Sequence, residues 1–286
     1  MIILPKNEYR ISITSACNMK CVYCHNEGNH IIKSLSLEDI ETLVSNTLDF
    51  GLEKVRLTGG EPLIHPEIYE ICKILHEKYS IKVGINTNAI EIKKLLDLIN
   101  NGWIDRVVVG LDYFDGVVSK QSSVGKSSEE ILNNILEIKK TNCDVNISTV
   151  YNNDYCNIYN LAKWAISNDI RLKIIEVVRN EICEETDYGY SVMRKKLLNE
   201  FNLTTKLDPM YKEVQGVLNG KNVLTFFHSH CRLRECDLCK QMHLRVTADG
   251  KLKTCLHFDD EDIDFRVGNV RENVQKVLSR EVNYHK

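Results

Sequence analysis

Cys17-Asn18-Met19-Lys20-Cys21-Val22-Tyr23-Cys24, near the start of the chain, is the stretch whose reading decides the fold. Three cysteines spaced C-x3-C-x2-C can ligate three irons of a cubane iron–sulfur cluster through thiolates and leave the fourth iron open to a small molecule. An open iron points to chemistry as well as electron storage. Zinc is the alternative, with His25 as a nominal fourth ligand, although structural zinc is commonly held by two C-x2-C pairs.

The rest of the chain sets the context. Its 286 residues, 43% of them hydrophobic, suit one large domain or a core with a smaller appendage. With 37 basic and 40 acidic side chains and a net charge of −3, there is no global positive field for nucleic acid or an anionic membrane. Any anionic substrate must be met by a local basic group. The opening Met1-Ile2-Ile3-Leu4-Pro5-Lys6 is too short for a signal peptide, and no stretch approaches the roughly 20 apolar residues of a membrane span. A soluble, cytoplasmic protein is expected. Of the eleven cysteines, Cys17, Cys21 and Cys24 form one group and Cys231, Cys236, Cys239 and Cys255 a second. In a reducing compartment such grouping favours metal ligation over disulfides. Cys72, Cys143, Cys156 and Cys183 are scattered singly and read as small hydrophobes.

Apolar, β-branched runs at Arg10–Thr14, Lys54–Thr58, Lys82–Asn86, Arg106–Leu111, Val145–Val150 and Arg171–Val177 read as strands. Between them, Leu37–Phe50, Glu67–Tyr79, Glu91–Asn100, Ser127–Lys140 and Tyr155–Ser167 have helical period. Ser36 before Glu38 and Asp39, and Ser127 before Glu129 and Glu130, are helix-start signals. Strands separated by such helices imply a parallel α/β sheet, either an incomplete barrel or an open doubly wound sheet. The alternation ends near residue 178, and an acidic, loop-like Glu181–Asp187 follows. A helix is expected at Tyr190–Phe201, strands at Val223–Phe227, His243–Thr247 and Lys251–Cys255, the last two as a hairpin around Ala248-Asp249-Gly250, and a final helix at Val270–Leu278. The expected division is a core, 1–180, and a C-terminal domain, 181–286.

A second stretch, Thr58-Gly59-Gly60-Glu61-Pro62, joins the first. Together they resemble the signatures of the radical S-adenosylmethionine (SAM) superfamily. The resemblance implies a partial (β/α)6 barrel with a small C-terminal α+β cluster-binding domain. It implies a [4Fe-4S] cluster on Cys17, Cys21 and Cys24, and SAM held by Tyr23, Gly59, Gly60, Glu61 and Gly110. The glycines would let backbone approach the ligand, and Glu61 would accept from its ammonium group. Asn86, Thr87, Asn88 and Asp112 fall at strand ends on the face where such barrels bind ligands.

The second cysteine group reads as either a zinc ribbon or an iron–sulfur site. In company with the first motifs it resembles the auxiliary-cluster subfamily, which implies a second [4Fe-4S] cluster. His243-Leu-Arg245-Val-Thr-Ala-Asp-Gly250-Lys-Leu-Lys-Thr-Cys255-Leu256, Lys54-Val-Arg56-Leu-Thr-Gly-Gly-Glu-Pro62 and Lys173-Ile-Ile-Glu176 further resemble the GTP cyclases that begin molybdenum cofactor biosynthesis, and Cys24-His-Asn-Glu-Gly28 their archaeal-type members. That resemblance implies a GTP-binding lyase. Arg10, Lys54, Arg56, Lys173 and Arg245 would bind the triphosphate, with Thr87 and His243 as further substrate contacts. A 5′-deoxyadenosyl radical would take hydrogen from the ribose, and the sugar radical would add to guanine. A flavodoxin- or ferredoxin-type donor would supply the electron. The chain departs from the pattern at Asn146, where a basic residue is expected, at His243, in the position of Cys236 and Cys239, in the extra Cys231, and in an end without Gly-Gly. Modification of a ribosomal peptide or another small metabolite is the alternative within the superfamily. A non-catalytic zinc or iron–sulfur module is the alternative outside it.

Overall fold

The computed structural model describes residues 3–21, 24, 31–114, 127–176, 186–208, 213–228, 241, 243–255 and 263–280. Strands β1 (Glu8–Thr14), β2 (Lys54–Gly59), β3 (Lys82–Thr87), β4 (Arg106–Gly110), β5 (Asp144–Tyr151) and β6 (Arg171–Glu176) alternate with helices α1 (Leu37–Thr47), α2 (Ile68–Lys73), α3 (Ile92–Asn100), α4 (Ser128–Lys139) and α5 (Tyr155–Ser167). These are the six strands and five helices expected, with small shifts at their ends. Ser36 and Ser127 each close a reciprocal capping box at the starts of α1 and α4. The helical period beyond α2 continues as a π-turn over Ile74–Lys78.

The six strands are parallel neighbours in chain order. A doubly wound sheet reverses its order at a switch point; this one does not, so right-handed crossovers carry the helices to one face. Tyr9, Ile11 and Ile13 on β1, Val107 and Val109 on β4, and Leu172 and Ile174 on β6 are buried in the hydrophobic core. Their alternates face the other way. The sheet also curls. Lys173 on β6 lies near enough to Arg10 and Arg56 on β1 and β2 to feel their charge, whereas in a flat sheet β2 and β6 would stand about 19 Å apart. This is the partial barrel of the expected fold class.

The C-terminal part extends both edges of the same sheet. On one side β9 (Lys221–Phe227) runs parallel to β6 and carries β8 (Val214–Leu218) and β7 (Thr204–Leu207). On the other, β10 (Leu244–Val246) runs parallel to β1 and carries β11 (Lys251–Lys253) and β12 (Ile263–Asp264). Helices α6 (Thr186–Glu200) and α7 (Val270–Ser279) complete the described elements. Asp187 therefore lies in a helix rather than in the expected loop, and residues 177–185 lie outside the described ones. Strands β7, β8 and β12 were not expected. Asn219 and Gly220, at φ 50° and 81°, make the primed turn that joins β8 to β9, and the Asn-Gly pair is the signal that reveals this hairpin. Among the described residues no helix is long and apolar enough to cross a membrane.

One buried hydroxyl joins the first edge to the barrel. Tyr190 on α6 donates to the Ile174 carbonyl at 2.8 Å, with the Phe227 carbonyl at 3.2 Å. Replacing Tyr190 by Phe is expected to cost about 1 kcal/mol, read as a lower urea midpoint at unchanged slope.

Candidate functional site

The end of β1 leads directly into the cysteine loop, and backbone contacts hold that loop. Gly60 N donates to the Thr14 carbonyl at 2.7 Å, and Glu61 N to the Ala16 carbonyl at 2.8 Å. Gly59 has φ 137°, and a Cβ on it would stand 2.0 Å from the Thr14 oxygen; a Cβ on Gly60 would stand 2.0 Å from the Ala16 oxygen. The observed close approach of the paired glycines is thus to the chain that presents Cys17. On the other side, Asn88 Nδ2 donates to Asn18 Oδ1 at 2.7 Å, tying the loop to the end of β3.

Glu61 is the buried hub between them, 1% exposed. Its Oε1 accepts from Leu63 N at 3.1 Å and Thr87 Oγ1 at 2.7 Å, and its Oε2 from Asn88 N at 2.8 Å. A carboxylate has about four acceptor sites, so one remains. Burial pushes its pKa up to about 7 against the pull of the three donors. Thr87, expected on the substrate, has its hydroxyl engaged here: it donates to Glu61 and accepts from Ala89 N at 3.0 Å.

The three thiols occupy the described part of this loop; Tyr23 lies outside it. Cys17 Sγ accepts from Met19 N at 3.3 Å, and Cys24 N donates to the Cys21 carbonyl at 3.1 Å. Burial, then the nearby Asp112 and the other two thiols, push Cys21 up to about 12. Burial foremost also raises Cys17. Among the described residues no group of three such side chains is drawn together as for one metal ion. Three thiols on one loop, each near enough to the others to feel their charge, are the donor chemistry of a cubane cluster, whose binding must displace thiol protons. Beside it opens a cleft of about 340 Å³, lined by Met19, Asn88, Ile90, Gly110, Leu111, Asp112, Tyr113 and Ile131. Gly110, expected against SAM, is on its wall. Asp112, anchored by Val150 N at 2.8 Å and pushed up to about 6 by burial, braces the ends of β4 and β5.

A second set of side chains lies on the face of the sheet away from the helices. Register places Arg245 of β10 beside Arg10, and Arg10 beside Arg56. Lys173 comes near the latter two from across the curl. Arg56 Nη2 is 3.0 Å from Glu8 Oε1 and donates to Oε2 at 3.3 Å. Lys173 Nζ donates to Glu213 at 2.5 Å and lies 4.4 Å from the centre of the Phe227 ring. Burial lowers the pKa of Lys173 despite that carboxylate. His243 is 6% exposed, and its Nε2 has no hydrogen-bond partner among the described residues. Burial, then Arg245, Arg10, Arg56 and Lys6, hold it well below the usual imidazole range, so it is neutral.

The expected contacts Arg10, Arg56, Lys173, His243 and Arg245 are thus brought together. Lys54, two residues before Arg56 and on the same face, is exposed at the start of β2, beside Glu8 and Lys82. Sequence reasoning missed Glu8 and Glu213. Period two along β1 puts Glu8 on the face of Arg10, whereas Glu213 arrives only through the unexpected β7–β8 connection. Cys255 follows β11 and is half-buried; Cys231, Cys236 and Cys239 lie outside the described residues.

Residues 11–165 match the model of the Radical SAM superfamily. A probable GTP 3′,8-cyclase of Methanococcus maripaludis is 30% identical over 270 residues, 90% of this chain and 87% of that protein. One of Thermococcus kodakarensis is 29% identical over 97% of this chain and 95% of its own length. Among solved structures, Streptococcus suis SuiB bound to the precursor peptide SuiA has a TM-score of 0.71 at 18% identity over 99% of this chain. This chain spans 66% of SuiB. The protein anSMEcpe with bound AdoMet gives 0.66 at 18% identity, over 97% of this chain and 81% of its own. These two likenesses concern the fold.

Glu61→Gln tests the hub. A single amide oxygen cannot serve donors on both sides, so SAM affinity is expected to fall about tenfold or more. The raised pKa means that, between about pH 4.5 and 7, folded protein holds a proton that the unfolded chain has released. Ligand-free wild type should lose stability as pH rises through that window, and the variant's urea midpoints should show a shallower slope.

Proposed function

We propose that this chain, which belongs to the radical SAM superfamily, cyclises GTP as a lyase of molybdenum cofactor biosynthesis. The observation that carries the reading is the convergence of Arg245, Arg10 and Arg56 around the neutral His243, with Lys173 near Arg10 and Arg56. Cations in a confined, partly desolvated space suit a triphosphate, which needs several charge-assisted hydrogen bonds at once. The names of the GTP 3′,8-cyclase relatives support the same substrate. A cationic lining favours GTP over a peptide.

Superfamily membership brings a [4Fe-4S] cluster and SAM. Cys17, Cys21 and Cys24 would hold the cluster, which when bound supplies the electron for reductive cleavage of SAM. The work of this chain is then placement. Gly59 and Gly60 fix the cysteine loop on Thr14 and Ala16, Glu61 and Asn88 fix its neighbour, and the cleft beside Gly110 and Asp112 receives SAM. Glu8 and Glu213 keep Arg56 and Lys173 extended along the inner face until phosphate oxygens compete for them. His243 adds a hydrogen bond without another charge to desolvate.

A second cluster on three or four of Cys231, Cys236, Cys239 and Cys255, within a 181–286 domain appended to the 1–180 core, would help hold the base. We place the protein in the cytoplasm, with a flavodoxin or ferredoxin as electron donor.

Anaerobically reconstituted, reduced protein should consume SAM and release a cyclised nucleotide only when GTP is present. Arg245→Ala should weaken GTP binding by about tenfold to a hundredfold while iron and sulfide content is retained. SAM cleavage with no GTP-dependent product, together with unchanged GTP affinity in Arg245→Ala, would refute the reading.

A further inference from the structure

We propose that Arg106 and Arg171, at the starts of β4 and β6, form a further anion-binding position on the inner face that takes the terminal phosphate of the substrate. The assignment to a substrate phosphate rests on the GTP reading.

Position comes first. Arg106 alternates with Val107, and Arg171 with Leu172, both buried in the core, so the two arginines share the face of Arg10 and Arg56. Register runs from Arg56 to Gly84 to Arg106. Glycine at the middle position leaves a gap without a side chain between two guanidinium-bearing residues. A Cβ there would make only ordinary contacts, the nearest 3.7 Å from the Arg106 carbonyl, so packing does not require the gap.

Charge is the second observation. Arg106 and Arg171 are close enough to repel each other, and Arg106 is also close enough to repel Arg56. Arg171 also feels Glu213, which Lys173 already engages, and both arginines lie near the carboxylate of Asp144, on the strand between them. That carboxylate is shared: Asn146 Nδ2 lies 3.2 Å from each of its oxygens. Arg106 Nε is 3.2 Å from Asp144 Oδ2, but it is buried and not aligned to donate. Asn146 Oδ1 in turn accepts from Arg171 Nε at 3.0 Å, which orients that guanidinium through one nitrogen and leaves its terminal nitrogens for another acceptor. Like charges gathered around carboxylates that other side chains already share repel one another, and an added anion would relieve that repulsion. The Arg106 side chain is 41% exposed, so such an anion can reach it.

Binding of inorganic tripolyphosphate, GTP and GMP to the reconstituted protein, measured by titration calorimetry, tests the assignment. Arg106→Gln and Arg171→Gln should each weaken tripolyphosphate and GTP by about tenfold to a hundredfold and leave GMP unchanged. Arg171→Lys, which keeps the charge, should recover most of the loss; a merely structural role would show neither the chain-length selectivity nor the rescue. Unchanged tripolyphosphate and GTP affinities in both Gln variants, beside a wild type that binds and converts GTP, would overturn this position alone. A wild type that binds tripolyphosphate through these arginines but does not prefer guanine nucleotides would overturn the GTP reading alone. A wild type that binds no polyphosphate would overturn both.

Discussion

The pairing of Gly59-Gly60-Glu61 with Thr14–Ala16 is the contact on which the site depends. Two short backbone hydrogen bonds bring the end of β2 against the residues that launch the cysteine loop. Any side chain at Gly59 or Gly60 would enter a carbonyl oxygen. The separation allowed by the glycines therefore sets where Cys17 begins, and Glu61, delivered by the same segment, reaches β3 through Thr87 and Asn88. The described start of the cysteine loop thus receives a defined position from three strand ends.

The inner face shows a different constraint, the cost of holding cations away from water. Arg56 and Lys173 each have a carboxylate, Glu8 and Glu213, within ion-pair distance, while His243 is kept neutral by burial and then by the cations around it. Such pairing holds long, flexible side chains in extended positions at modest net energy, since desolvation opposes the attraction. An incoming polyanion finds the cations already arrayed, and it competes with carboxylates rather than with disordered water. The cysteine loop and the cationic residues belong to one curled sheet, the loop following its first strand and Lys173 standing on its sixth.

Much of the barrel is legible in the sequence because its determinants are local. Each of β1 to β6 has a β-branched or apolar run that buries alternate residues, and each of α1 and α4 has its capping serine. The C-terminal strands were less legible. Thr204–Leu207 is exposed along its length and has no inward apolar pattern to read, and two-residue β12 is too short for any periodicity. Within the site, the grouping of Cys17, Cys21 and Cys24 and the position of Gly110 could be read from motif and strand end. Thr87 belongs with Glu61, and Lys54 lies exposed beside Glu8, because side-chain competition and strand register decide these contacts.

By itself the sequence determined the chemistry on offer: three thiols at cluster spacing, paired glycines before a glutamate, alternating strands and helices, and a set of basic residues on strands. Those follow from residue identity and short-range spacing, which a linear chain states outright. Only the tertiary structure decided that the glycines meet the cysteine loop's own backbone, that Glu8 and Glu213 sit against Arg56 and Lys173, and that the last part of the chain adds strands to both edges of the barrel. These depend on which strands become neighbours and on how far the sheet curls, and such distances arise from the packing of segments remote in sequence.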